Sequence, residues 1–189
     1  MTSITRVLTL ALAVTGALAA PLHAQEIERK GFFFGVGLGG GGGKLYAEGE
    51  SSDRLTGLSG HLRAGAALSP TVLLGGESNG WYRSESGLDE TIGGLMVTAY
   101  VYPARNFFVK VGSGLMTYRA DDGIDDLTTV NLGSQVGIGY DIRLGRKTAL
   151  TLVANYLFGF NGDVEFSGLD TGVRARPDLL QIGAAFSLY

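Results

Sequence analysis

Apolar side chains alternate with small or polar ones over stretches far longer than a soluble strand, and this period of two constrains the chain more than any other feature. From 130 to 142 one face reads Val130, Leu132, Ser134, Val136, Ile138, Tyr140 and Ile142, and the other reads Asn131, Gly133, Gln135, Gly137, Gly139 and Asp141. Successive side chains of a strand point to opposite faces, so the sequence describes a ribbon with one apolar and one polar side. At the C-terminus Leu180, Ile182, Ala184, Phe186 and Leu188 alternate in the same way with Gln181, Gly183, Ala185, Ser187 and Tyr189. Both runs have the length a tilted membrane strand needs, about 9 to 11 residues. Soluble strands usually stop at about five or six.

Six further runs, at 32–44, 58–68, 72–83, 91–102, 107–118 and 148–160, bring the count to eight. The N-terminus is a separate element. Arg6 precedes an apolar run over 7–20, then Pro21 and the small-residue exit Leu22-His23-Ala24, the layout of a secretory signal peptide. We place cleavage after Ala24, with Ala19 as the alternative, so that residues 25–189 form one domain. That domain holds no uninterrupted apolar run of about 18 residues, the minimum for a spanning helix. A chain without such a helix crosses lipid only as a closed barrel, because lipid offers no partners to backbone N–H and C=O groups. The fold expected is therefore all-β: an eight-stranded antiparallel up-and-down transmembrane β-barrel.

The connections fit that topology. Short turns at 69–71, 103–106 and 143–147 alternate with longer polar loops at 45–57, 84–90, 119–127 and 161–177, as short periplasmic turns alternate with long outer loops. Thirteen of the eighteen carboxylates fall in the four long loops, whereas Arg143, Arg146 and Lys147 mark the short-turn end. Aromatics near both ends predict interfacial girdles: Phe32, Tyr100, Tyr102, Phe107, Phe108, Tyr140, Phe186 and Tyr189 at one rim, and Tyr46, Trp81, Tyr82, Tyr118, Phe158 and Phe160 at the other. Thirty-one glycines suit a narrow barrel whose interior is filled by side chains. Cysteine is absent, which excludes disulfides, thiolate metal sites and a lipidated cysteine. The formal charge of −3 and the lack of a basic stripe argue against nucleic acid as a partner.

The last strand carries a recognisable pattern. Gln181, Gly183, Phe186 and Leu188, with Tyr189 following, match polar, glycine, aromatic and hydrophobic positions at the spacing of the C-terminal assembly signal of outer-membrane barrels. Either Leu188 or Tyr189 serves as its terminal hydrophobic group. With the opening Gly31-Phe-Phe-Phe-Gly-Val-Gly strand, the mature chain resembles the small outer-membrane β-barrel family of the OmpA/OmpX type. The resemblance implies the cell outer membrane as location, insertion by the barrel-assembly machinery, and lipid and lipopolysaccharide as surroundings. It implies no chemistry, since such barrels include anchors, adhesins, narrow channels and a few lipid-modifying enzymes.

Candidate sites follow from the alternation. A three-residue loop at 69–71, with Leu68 opposite Val72, sets Arg63 against Glu77, His61 against Asn79 and Ser59 against Trp81. His61, Arg63, Glu77 and Asn79 then form a luminal polar network, with an Arg63–Glu77 ion pair and with Lys110 and Asp141 on the same inner face. Ser59, His61 and Glu77 also allow a reading as nucleophile, base and orienter. The histidine-any-serine element of barrel lipid A deacylases is missing, however. Asp121, Asp122, Asp125 and Asp126 cluster as a hard cation such as Ca²⁺ prefers, without the spacing of an EF-hand. Gly35, Gly37 and Gly40 satisfy a G-x-G-x-x-G pattern, but no helix follows, so the pattern marks a bending strand. The expected role is a monomeric, non-enzymatic surface barrel with acidic outer loops, needing no cofactor or metal. A narrow solute channel, a lipid A-modifying hydrolase and a soluble ligand-carrying barrel with inverted faces are the alternatives.

Overall fold

The computed structural model describes residues 27–47, 50–167 and 169–189. The expected signal peptide, 1–24, lies outside the described residues. Ten strands follow in chain order: β1 (Gly31–Ala47), β2 (Glu50–Ser51), β3 (Leu55–Ser69), β4 (Val72–Glu85), β5 (Leu88–Val101), β6 (Phe107–Asp121), β7 (Asp126–Arg143), β8 (Thr148–Gly159), β9 (Gly162–Phe166) and β10 (Leu169–Leu188). Eight of them build the wall in the order β1-β3-β4-β5-β6-β7-β8-β10, every pairing antiparallel, and β10 closes on β1 from Phe34↔Leu188 to Ala47↔Ala175. The closed ladder leaves none of these eight with a free edge along the span, which is what a lipid environment demands.

The face assignment is decided by exposure. On β7, Val130, Leu132, Val136, Ile138 and Tyr140 are exposed, whereas Asn131, Gln135 and Asp141 are buried. The same holds on β10, with Leu180, Ile182, Phe186 and Leu188 outside and Gln181 and Ser187 inside. The apolar side thus faces outward as a belt, and the polar side fills the lumen. A soluble ligand carrier would need the opposite arrangement.

Three sequence expectations are corrected. The first hairpin closes with Ser69 opposite Val72, not Leu68, leaving Leu68 as an extra residue between Ala67 and Ser69. The bulge absorbs one position, so the register above it keeps Arg63 opposite Glu77 and His61 opposite Asn79. The long loops are mostly strand. Ser86 and Gly87, both with positive φ, form a two-residue turn between Glu85 and Leu88, as the primed hairpin turns require. Residues 161–177 contain β9 and the first half of β10, and β9 fills the gap between β7 and β10 beyond the end of β8. The wall therefore continues past the belt at the hairpin end. Third, Tyr100, Tyr102, Phe108, Tyr189, Trp81 and Tyr118 are buried in the lumen and form no girdle.

Two glycines show how closely the parts approach. A β-carbon at Gly39 would stand 2.1 Å from the Ile182 carbonyl oxygen across the closing seam, and one at Gly139 would stand 2.2 Å from the Phe108 ring.

An arginine at Val136, midway along the exposed row of β7, is expected to lower unfolding free energy in lipid vesicles by about 2–4 kcal/mol. Arginine at Ile124, in the β6–β7 turn, is expected to change it little. Equal effects in urea titrations would mean that the belt does not contact lipid.

Candidate functional site

The lumen is filled in layers. At the end where β1 begins and β10 finishes, Phe33, Leu73, Tyr100, Tyr102, Phe108 and Tyr189 pack with Ile27 into one apolar cluster. Phe33 meets Tyr100 edge-on at 5.6 Å between ring centroids, and Tyr100 meets Phe108 at 5.7 Å. Threaded through these rings is a polar hub centred on Asp141. Its Oδ2 accepts from Arg29 Nη2 at 3.0 Å, from the Tyr102 hydroxyl at 3.1 Å and from the Tyr189 hydroxyl at 2.8 Å, and its Oδ1 accepts from Thr151 Oγ1 at 2.7 Å. Arg29 precedes β1 and reaches back into the lumen, its guanidinium 3.7 Å from the Tyr102 ring centroid. Glu28 N donates to the Arg146 carbonyl at 3.0 Å, which ties this entering segment to the β7–β8 turn.

The middle layer holds the sequence-predicted residues. His61, Arg63, Glu77 and Asn79 are all buried and inward, as are Lys110 and Asp141. The pairing differs from expectation. Glu77 accepts from Lys110 and, at 2.6 Å, from the Tyr100 hydroxyl, whereas Arg63 turns toward the hub, with Nη2 2.8 Å from Ser187 Oγ and 3.1 Å from the Tyr189 hydroxyl. The cause is geometric. Arg63 finds a nest of hydroxyls one layer down, and Lys110 reaches Glu77 over the narrow lumen from two strands away. Asn79 donates to Gln135 Oε1 at 3.2 Å, and Gln135 donates to Thr98 Oγ1 at 2.6 Å. Above them Trp81, Ile92, Met96, Met116, Leu157 and Leu179 form a second apolar cluster, capped by Glu90, which accepts from Tyr118 at 2.8 Å and from Arg83 at 2.8 Å.

This arrangement fills the interior and does not link Ser59, His61 and Glu77 by hydrogen bonds among the described residues. Ser59 and His61 make no side-chain hydrogen bond among the described residues, and Glu77 is already engaged by Lys110 and Tyr100. The Lys110–Glu77 pair is almost fully buried, at 1% and 0% side-chain exposure. Each charge depends on the other, since desolvation without a partner costs several kcal/mol.

The four aspartates of the β6–β7 turn serve the turn itself. Asp121 opposes Asp126 as the closing pair. Asp121 accepts from Gly123 N at 2.8 Å, and Asp122 accepts from Ile124 N and Asp125 N at 3.0 and 2.9 Å. The Asp125 and Ile124 amides hold the Asp122 carboxyl below its ordinary range. Among the described residues no group of three or more His, Cys, Asp or Glu is arranged to hold a metal ion, so the cation-loop expectation is not met by the geometry. In the terminal strand Phe186 and Leu188 face outward, Gln181 donates inward to the Gly80 carbonyl at 3.1 Å, and Gly183 packs on the Leu38 carbonyl. Tyr189 points into the hub, which leaves Leu188 as the outward hydrophobic end.

Sequence reasoning missed Arg29, Thr151 and Ser187. Thr151 and Asn155 share parity on β8, opposite in sense to Leu150 and Leu152, and that alternation was the available signal.

No family model matches the chain, and no curated protein matches it. Solved structures do. The attachment invasion locus protein Ail of Yersinia pestis superposes with a TM-score of 0.56 over 84% of this chain and 99% of its own, at 12% identity. Neisserial surface protein A (NspA) superposes with a TM-score of 0.52 over 83% of this chain and 96% of its own, at 17% identity. Identities this low establish the fold and nothing further. The chain thus has the closed, small eight-stranded antiparallel β-barrel fold that these outer-membrane proteins share.

Proposed function

We propose that the protein is a closed, non-enzymatic anchor that holds a β-walled platform at the outer surface of the membrane. The observation that carries this reading is the lumen: two apolar clusters bracket a hydrogen-bonded polar layer. Such a filling matches the capacity of eight strands, whose interior is just wide enough for its own side chains. Orientation follows the short-turn rule, which puts the start of β1 and the end of β10 on the periplasmic side and the extended hairpins outside. Phe186 and Leu188 then present the outward edge pattern to the barrel-assembly machinery.

The platform has a distinctive tip. The β6–β7 and β9–β10 turns are joined, Ser167 N donating to the Asp126 carbonyl at 2.8 Å and Ser167 Oγ to Asp125 Oδ1 at 3.2 Å. Ile124 and Leu169 stand 89% and 74% exposed there, beside the exposed Phe166. Asp121, Asp122, Asp125, Asp126 and Glu165 surround them. An apolar centre with an acidic rim suits a cationic amphipathic surface.

Purified protein in planar bilayers is expected to give no ohmic conductance, with heat-shifted gel migration confirming that the barrel is folded. Stable single-channel steps from folded protein would replace the anchor with a channel. Glu77→Gln strands Lys110 and is expected to cost about 3–5 kcal/mol in urea unfolding, with much of it recovered in Glu77→Gln/Lys110→Met. A mild single variant would remove this pair as a basis for closure. Replacing Ile124, Phe166 and Leu169 with serine is expected to weaken capture of a lysine–leucine amphipathic peptide. The wild-type affinity should fall as salt rises. Unchanged binding on either test would dismiss the tip as a contact surface.

A further inference from the structure

Outside the lumen, on the seam between β1 and β10, three cations stand together, none of them in an ion pair among the described residues. Lys44 lies opposite Asp178, and Tyr46 opposite Arg176, in successive outward rows. Lys44 Nζ and Arg176 Cζ each lie 4.6 Å from the centroid of the Tyr46 ring, so one aromatic side chain gathers both charges. Arg54, just before β3, crosses the same face one row lower. Its Nη1 donates to the Gly42 carbonyl at 2.7 Å, and its stem occupies the space a side chain at 42 would take. Among the described residues Lys44, Arg54 and Arg176 form no ion pair. Elsewhere on the outer half, Arg83, Arg119 and Arg174 are each matched to carboxylates.

Beneath the cations sits an acceptor lacking a donor. Asp178 is buried; its Oδ2 accepts from the Tyr156 hydroxyl at 2.5 Å, and its Oδ1 has no hydrogen-bond partner. Asp178 offsets part of the local positive charge. Toward the belt, Gly40 is flanked by Leu58 of β3 and Ile182 of β10, both exposed, and nothing lies within 4 Å of where its β-carbon would be. With strands about 4.8 Å apart, these ridges bound a lane about 10 Å across. The cations cap the lane at the level where the apolar belt gives way to polar wall.

We propose that Lys44, Arg54 and Arg176 bind the phosphate of an outer-leaflet glycolipid, its acyl chain lying over Gly40 and a headgroup hydroxyl or amide N–H donating to Asp178 Oδ1. Guanidinium groups favour phosphate through paired, charge-assisted hydrogen bonds. The acceptor selects a headgroup that also carries donors, which a phosphorylated sugar supplies. The assignment rests on the reading that the hairpin end faces outside.

The test uses full-length mature protein refolded in detergent, with binding measured for bisphosphorylated lipid A, dephosphorylated lipid A and phosphatidylglycerol. Lys44→Gln/Arg54→Gln/Arg176→Gln is expected to weaken lipid A binding by about tenfold or more, as is removal of the phosphates. Arg146→Gln/Lys147→Gln, at the other end, should leave it unchanged. Equal affinity of wild type and triple variant, or of the two lipid A forms, would overturn the site. Phosphatidylglycerol bound as tightly as lipid A would overturn the glycolipid assignment. Heat-shifted migration of each variant certifies the barrel, and Arg54→Gln alone, an exposed position, carries the comparison if the triple variant does not fold. Orientation is read separately with Ser86→Cys in a chain that otherwise lacks cysteine. Labelling by an impermeant maleimide on intact cells supports the outer-leaflet placement, and protection overturns that placement even where detergent binding stands.

Discussion

Every peptide group that crosses the belt must find its hydrogen-bond partner within the wall, and the rest of this structure depends on that constraint. The chain meets it with eight neighbouring pairings that return on themselves from β10 to β1. Once the ladder is closed, each strand has one face toward lipid and one toward a lumen too narrow for bulk water. Period-two alternation is then an energetic requirement. A one-residue slip anywhere would place Asn131, Gln135 and Asp141 in lipid and Val130, Leu132 and Val136 in the lumen. The bulge at Leu68 falls in the hairpin next to a turn, where one irregular residue leaves the register of the spanning part intact.

The interior solves a second problem, the cost of burying charge. Arg29, Arg63 and Lys110 are countered by Glu77 and Asp141, and hydroxyls supply further partners, while Arg29 Nε and Arg63 Nε have no hydrogen-bond partner. Arg63 is held mainly by hydroxyls and by ring faces, its guanidinium carbon 5.3 Å from the centroids of both Tyr100 and Phe108. Such a layer costs more to break than it contributes when intact. A leaking pore would require simultaneous loss of partners from several parts of the wall, because Asp141 alone joins Arg29 before β1, Tyr102 just after β5, Thr151 of β8 and Tyr189. Tight coupling between the wall and its filling follows.

The register around Arg63 and Glu77 was legible in the sequence because the short connection at 69–71 limits which residues of β3 and β4 can face one another, and the bulge at Leu68 absorbs the one-position difference at the turn. The directions of Tyr100 and Tyr102 were not. In β5 both parities carry apolar groups, Leu95, Val97 and Val101 on one side and Ile92, Met96 and Tyr100 on the other, so alternation alone cannot say which face is inside. The Lys110–Glu77 pair was hidden for a different reason. Its partners are not neighbours in the ladder but meet across the lumen from β4 and β6, and the curvature that brings them together is a property of the closed barrel, not of any hairpin. The outer loops misled through composition. Polar, acidic, glycine-bearing segments read as irregular, yet once the wall is templated by the spanning part, its ladder continues through Arg83, Glu90 and Thr128.

Space inside the barrel is allotted by pairing large residues on one strand with glycine on the next. His61 occupies the volume a side chain at Gly37 would need, Trp81 that at Gly43 and Phe108 that at Gly139. The glycine-rich first strand is thus the complement of the bulky residues that β3 and β4 send inward. Because β1 also carries glycine at outward positions 40 and 42, the same strand that makes room for the plug thins the lipid-facing surface at the closing seam. Lumen packing and external relief are coupled through one segment. The composition that allows a sealed interior also leaves, beside the three cations, a lane of the outer wall whose capacity to hold a lipid depends on the absence of side chains.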